Sequence, residues 1–162
     1  MLQSLTNTYR TLAAKLDAAS PVLDLLFRLW VANGFFKSGL TKIGNWQATL
    51  FLFENEYNVP VLPSNIAALA GTATELTVPV LLALGLASRP AALVLFVFNI
   101  VAVVSYPGLS ESGMRDHVYW GLMMLVTLFH GPGKLSLDAW IERRIGGRTQ
   151  PAATTGSTQW AH

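Results

Sequence analysis

Residues 64–106 read SNIAALAGTATELTVPVLLALGLASRPAALVLFVFNIVAVVSY, and this stretch decides the fold class. It contains two apolar runs, 64–86 and 90–106, which are separated by only a few residues around Arg89. A helix rises about 1.5 Å per residue and needs about 20 mostly apolar residues to cross the hydrocarbon core of a membrane. The stretch therefore predicts two neighbouring transmembrane helices joined by a short turn.

Two further spans follow from the rest of the chain. Residues 21–43 form an apolar run in which Ser20 is a suitable N-cap and Pro21 a suitable first helical residue. Residues 117–130 are too few to identify a span by length alone. Of the 162 residues, 52% are hydrophobic and 12% charged, whereas soluble domains have about 25% charged residues. The composition predicts a single membrane domain over 21–133.

The distribution of charge supports the fourth span. With four spans, a basic set of residues falls on one side of the membrane and a largely acidic set on the other, which predicts that both termini are cytoplasmic. The excess of positive charge is thus explained by membrane topology, and the sequence does not predict a nucleic-acid partner. The basic set is Arg10, Lys15, Arg89, Lys134, Arg143, Arg144 and Arg148, and the other is Glu54, Glu56, Glu111, Arg115 and Asp116.

Amphipathic segments flank the predicted domain. In residues 1–20, apolar residues at positions 2, 5, 9, 12 and 16 recur at helical spacing, which favours a helix on the membrane surface over one packed against a partner. Residues 134–145, with Ser136 as N-cap, predict a second interfacial helix, and 146–162 a disordered tail. The predicted fold is all-α, a four-helix transmembrane bundle with interfacial segments at both termini.

Ionisable residues inside the predicted spans are candidates for a site, because each costs at least about 2.5 kcal/mol in the membrane centre. Glu75 lies eleven residues from either end of its span, so it must face the protein interior. Counting equal depths along the other helices predicts that Asn33, Lys37 and Asn99 surround it. Asp24 and Arg28, one turn apart, are predicted to pair with each other. The alternative is that Glu75 only holds helices together.

Pro79 adds to this prediction, because it lacks the N–H that would bond the carbonyl of Glu75 and so predicts a small opening there. Other site types find less support. The chain has no cysteine, which excludes thiol chemistry and thiolate metal sites. His117 and His130 are about 20 Å apart by helical rise and cannot share one haem. We predict no metal site and identify no catalytic residue.

Several short motifs resemble those of the DoxX family, small membrane proteins with four helices. The resemblance covers residues 24–140 and depends on three pieces of sequence. These are Arg28 with the later Gly39-Leu40-Thr41-Lys42, Glu75-Leu76 leading to Leu82, Gly85-Leu86 and Arg89, and Gly131-Pro132-Gly133-Lys134-Leu135-Ser136-Leu137-Asp138.

The resemblance implies that Arg28, Lys42 and Glu75 are the important positions, with Lys42 rather than Lys37 beside Glu75. Helical geometry adds that Arg28 and Lys42 lie within about 40° of one face. The resemblance also implies a location in the bacterial cytoplasmic membrane. It further implies that the protein is a subunit of a redox or stress-response assembly and binds a quinone-like molecule. Its expected partners are a redox protein or a second copy of the chain. A small transporter, copper handling and an anchor for soluble partners are the alternatives.

Overall fold

A computed structural model describes residues 2–146, which form six α-helices and contain no strand. The all-α prediction is therefore confirmed over these residues. The predicted tail lies outside them from residue 147 on. The helices are α1 (Leu2–Gly44), α2 (Trp46–Asn55), α3 (Ser64–Leu84), α4 (Ser88–Ser105), α5 (Glu111–His130) and α6 (Leu137–Gly146).

Helix α1 is much longer than predicted, because it runs without a break through Pro21. The expected helix start at Ser20 is wrong. Pro21 has no N–H for the carbonyl of Asp17, one turn earlier, but the Ser20 hydroxyl donates to that carbonyl at 3.0 Å. The missing backbone hydrogen bond is thus replaced by a side chain, and the amphipathic segment and the first predicted span become one 43-residue helix.

Four long helices enclose the core. Helix α1 packs against α3 and α5, and α4 packs against the same two helices from the opposite side. Val31, Phe35, Leu82, Leu95 and Met124 fill the space between them and are almost completely buried. Residues 5–19 of α1 lie beyond this core, and nearly all of them are exposed.

Helices α3 and α4 are long and apolar enough to cross a membrane. Only 39% and 33% of their most apolar windows are buried, so most of their apolar surface faces outward, unlike the core helix of a soluble protein. Helices α1 and α5 carry more charge within their lengths. That they also cross, as in a four-helix transmembrane bundle, stays a prediction.

Two elements differ from the sequence-based expectation at the end of the core where α1 stops. Helix α5 begins at Glu111, six residues before the predicted span, and Ser110 caps it by accepting from the N–H of Gly113. Helix α2 lies between the first two predicted spans, where the sequence predicted no helix. Asn45 caps it through Ala48, and its buried Thr49 and Phe53 turn toward the core. We call this end of the core, where α1 stops, the cavity end.

At the opposite end, which we call the capped end, α3 turns tightly into α4. Gly85 adopts a left-handed conformation with φ of 70°, and its N–H and that of Leu86 bond back to Leu81 and Leu82. This conformation favours glycine. A Cβ at Gly85 would also lie 2.4 Å from the Arg28 guanidinium, so the position has no room for a side chain.

Arg28 satisfies the last carbonyls of α3. Its guanidinium is 1% exposed and donates to the carbonyls of Leu82 and Ala83, at 3.2 and 3.1 Å, and to that of Leu135. Asp24 instead contacts His130 at 3.2 Å. The predicted pair between Asp24 and Arg28 is therefore wrong, because the carbonyls at the buried end of α3 offer the guanidinium closer acceptors.

Asp138 of α6 caps the start of α4. Its carboxylate accepts from the N–H groups of Ala87 and Ser88, both at 2.8 Å, and its own N–H donates to Gly85. Partial burial raises the pKa of Asp138, but these hydrogen bonds and the charge of Arg28 outweigh it, so the pKa lies below its ordinary value of 3.8. Residue 138 thus caps a helix that began fifty residues earlier in the chain.

Replacing Asp138 with alanine removes both acceptors from the α4 N-terminus. We expect Asp138→Ala to lower the free energy of unfolding by about 1 kcal/mol, the usual loss for an N-cap. Unfolding of detergent-solubilised protein, followed by tryptophan fluorescence, measures this. Glu142→Ala, on the same helix, is the matched control and should change little. An equal effect of both substitutions would contradict the capping role.

The charge of Asp138 predicts a pH dependence of its own. Because the folded state lowers this pKa, the ionised carboxylate stabilises the fold above pH 3.8 and loses that effect as the pH falls through the lower folded value. Asp138→Asn keeps the shape without the charge. The difference in stability between the wild type and this variant should be full at neutral pH and shrink below pH 3.8. A difference independent of pH would contradict the assignment.

Candidate functional site

A buried ion pair joins α1 to α3. Lys42 Nζ lies 2.7 and 2.9 Å from the two carboxylate oxygens of Glu75, and the side chains are 17% and 7% exposed. Ser38, one turn before Lys42, accepts from Nζ at 2.8 Å and donates to Glu75 at 3.2 Å. The three polar groups satisfy one another, as buried charges require.

The neighbouring backbone holds this network in position. Gly39 lets α1 and α3 approach closely, because a Cβ there would lie 2.9 Å from Leu76 and 3.1 Å from the Cβ of Glu75. At the end of α1, the buried hydroxyl of Thr49 donates to the carbonyl of Lys42 at 2.9 Å. Helix α2 therefore fixes the backbone that carries the lysine.

A cavity of about 350 Å³ opens beside the ion pair at the cavity end. One wall is formed by small residues of α3 around Gly71, and another by Phe98 to Ser105 of α4 together with the following Tyr106. Lys42 and Glu75 lie at its boundary together with Ser38. The cavity is mostly apolar with a few polar groups, and its volume falls in the range of small-molecule sites.

Aromatic side chains close the cavity on the side of α2. The ring of Tyr57 meets those of Phe53 and Tyr106 edge to face, with centroids 4.8 and 4.9 Å apart. Burial, then the nearby Tyr106 and Glu75, raise the pKa of the Tyr57 phenol above its ordinary value of 10.0. The phenol therefore stays protonated at physiological pH and is a potential hydrogen-bond donor.

Two more polar groups line the cavity. Ser105 is 4% exposed, and its hydroxyl finds no hydrogen-bond partner among the described residues. His117 of α5 also borders the cavity, and its Nδ1 lies 2.6 Å from the amide oxygen of Asn99. Ser105 thus places a buried hydroxyl, without a hydrogen-bond partner in residues 2–146, in the wall of this cavity.

The structure brings only part of the predicted set together. Glu75 meets Lys42, the lysine that the family resemblance favoured. Asn33 and Lys37 lie on the exposed side of α1, away from Glu75, so the cluster predicted from depth is wrong for both. Asn99 is buried on α4, where its amide bonds His117 rather than the ion pair. Arg28 belongs to the capped end.

Sequence reasoning missed several residues of this region. Ser38 could have been found, since it precedes Lys42 by one helical turn on the same face. The helical nature of α2 is also visible in retrospect, with Asn45 as N-cap and apolar residues at steps of three and four. By contrast, the unpaired hydroxyl of Ser105 and the position of the Tyr57 ring beside the cavity depend on tertiary packing. The sequence pattern alone does not show them.

Breaking the ion pair tests its place in the fold. Lys42→Met leaves the Glu75 carboxylate buried and unpaired, which should lower the free energy of unfolding by about 3 kcal/mol. Adding Glu75→Gln removes the stranded charge, so the double variant should recover most of this loss. Lys37→Met, an exposed lysine on the same helix, should stay within about 0.5 kcal/mol of the wild type. Equal effects at Lys37 and Lys42 would contradict the assignment.

Comparison with known proteins assigns the chain to a family. A family model described as DoxX matches residues 23–107, which include Lys42 and Glu75. A protein of Haemophilus influenzae described as "Uncharacterized protein" is 32% identical over 133 residues, covering 76% of this chain and 86% of that protein. No solved structure matches the chain. The chain belongs to the DoxX family of membrane proteins.

Proposed function

We propose that the protein is a membrane subunit of a redox or stress-response assembly and that its cavity receives a small quinone-like molecule. The observation that carries this proposal is the cavity itself, about 350 Å³ beside the buried pair of Lys42 and Glu75. A mostly apolar cavity with a few convergent polar groups is the usual form of a ligand site. A purely structural role would also explain the ion pair, but it would not explain the cavity that adjoins the pair.

The walls suit a flat ring with polar substituents. Phe53 and Phe98 offer aromatic faces, which pack well against another ring. A ring carbonyl can accept a hydrogen bond from the Tyr57 phenol, and from the Ser105 hydroxyl once that side chain rotates toward the cavity. These contacts would satisfy the buried hydroxyl of Ser105, which has no partner among residues 2–146.

A redox partner is part of the proposal. The chain has no cysteine, and thus no thiol that could carry electrons. The electrons for a bound quinone would come from another protein, while this chain holds the quinone in place. The charge distribution supports an orientation with both termini in the cytoplasm of a bacterium, so that the cavity would open toward the outer face of the cytoplasmic membrane.

The alternative functions have less support. Within residues 2–146, no group of three or more His, Asp or Glu side chains converges as a metal site would require. The carboxylates at the cavity end therefore do not support a copper-handling function. An anchor for soluble partners would use the helix ends but would leave the cavity unexplained.

Binding of a short-chain ubiquinone analogue to purified protein tests the proposal. The variant Tyr57→Phe removes the phenol that would donate to a ring carbonyl and should weaken binding by about fivefold, roughly the value of one neutral hydrogen bond. Isothermal titration calorimetry gives the affinity, and gel filtration verifies that the variant is folded. Lys37→Met is the control and should bind like the wild type.

A second variant tests the apolar side of the same cavity. Gly71→Leu places a large side chain against Phe53 and Phe98, whose rings would lie 3.7 Å from a Cβ at this position, and so should fill the space that the ligand needs. Unchanged affinity in both folded variants would exclude this cavity as the quinone site.

A further inference from the structure

The side of α1 that faces away from the core carries a regular stripe of exposed residues. Starting at Leu5, exposed residues recur in strict alternation of four and three residues, at positions 5, 9, 12, 16, 19, 23, 26, 30 and 33. We call this stripe the α1 seam. Its first members, Leu5, Tyr9, Leu12 and Leu16, are 58–72% exposed and lie beyond the end of the core.

The spacing of the seam is that of a coiled coil. An average step of 3.5 residues keeps a stripe facing one partner when two helices supercoil around each other. The seam spans four heptads from Leu5 to Asn33, the length at which such a pattern becomes a strong signal. The residues that face the core, such as Arg28 and Phe35, lie on the opposite side of α1. The seam is therefore free to contact another molecule.

Asn33 is a polar residue within this stripe, and contact with lipid alone would be energetically unfavourable for it. It occupies a seam position inside the predicted first span, where its exposed amide would face hydrocarbon. An amide without hydrogen-bond partners is costly in such surroundings. A protein partner that brings a polar group to the same depth would remove this cost.

We propose that the α1 seam binds the α1 seam of a second copy of this chain, forming a parallel two-stranded coiled coil. Copies of one membrane protein insert with the same orientation, so a two-fold axis along the membrane normal brings each seam residue opposite its twin. Asn33 would meet Asn33, and because an amide both donates and accepts, the two side chains satisfy each other. The two Lys37 side chains, next along the stripe, would repel, so the contact ends at Asn33.

Residues beside the seam are compatible with this pairing. Lys15 flanks it on α1, and in a parallel dimer its position faces that of Ser20 on the partner helix rather than a second lysine. A helix that instead lies on the membrane surface would need a sharp bend near Ser20. The unbroken α1, with the Asp17 carbonyl satisfied at this point, favours the straight continuation.

Cysteine crosslinking in native membranes tests the dimer. The chain contains no cysteine, so a single introduced thiol can form a disulfide only with its twin or with another protein. Leu12→Cys and Leu26→Cys, one in each half of the seam, bring identical residues within the short distance that a disulfide requires. Mild oxidation should convert both to covalent dimers on a non-reducing gel.

Ala14→Cys is the matched control, because this residue is exposed on the opposite side of the same helix. It should crosslink several-fold less than Leu12→Cys. In liposomes, Asn33→Leu should weaken dimerisation by about threefold, as expected for one hydrogen bond between membrane helices, measured by energy transfer between labelled copies.

The proposal would be overturned if the seam variants crosslinked no more than Ala14→Cys, or if only one of the two seam positions did so. Quenching of a fluorophore at position 12 by headgroup-labelled lipid, without crosslinking, would place this segment on the membrane surface instead. None of these outcomes depends on whether the cavity binds a quinone.

Discussion

The structure depends on the hydrogen bonds by which Arg28, a buried residue of α1, satisfies backbone carbonyls of two other segments. Its guanidinium, carried by α1, binds the last carbonyls of α3 and the carbonyl of Leu135 before α6. In hydrocarbon these groups could not turn to water. Gly85 leaves the guanidinium its space, and Asp138 completes the arrangement by capping α4. The path of the chain at this end follows from one buried side chain.

The two ends of the core use charge differently. At the capped end, the buried charges of Arg28 and Asp24 are engaged with carbonyls and with His130, and their contacts join elements that are far apart in sequence. At the cavity end, the side chains of Lys42 and Glu75 bond only each other and Ser38 within residues 2–146, and an open space adjoins them. Backbone capping explains the first set fully. It gives no reason for the second, which borders the cavity in which we propose a ligand.

Much of this arrangement could be predicted from the sequence, and the failures have physical causes. The apolar runs of α3 and α4 and the interior position of Glu75 follow from hydropathy and depth alone. Depth says nothing about the direction of a side chain, however. Lys37 and Lys42 are five residues apart and thus point about 140° away from each other, so counting depth selected the exposed lysine. The start of α1 was misplaced because the Ser20 hydroxyl, which replaces the N–H of Pro21, is a local compensation that propensity rules do not include.

The ion pair also limits what kind of ligand the cavity suits. The ammonium group of Lys42 already directs its hydrogen bonds to Glu75 and Ser38, and its charge is balanced by the carboxylate. An anion entering the cavity would gain little from this lysine and would be repelled by Glu75. A neutral molecule avoids that repulsion, and if it is a ring it can also pack against the aromatic walls. The electrostatics of the site therefore favour an uncharged, ring-containing ligand over an oxyanion.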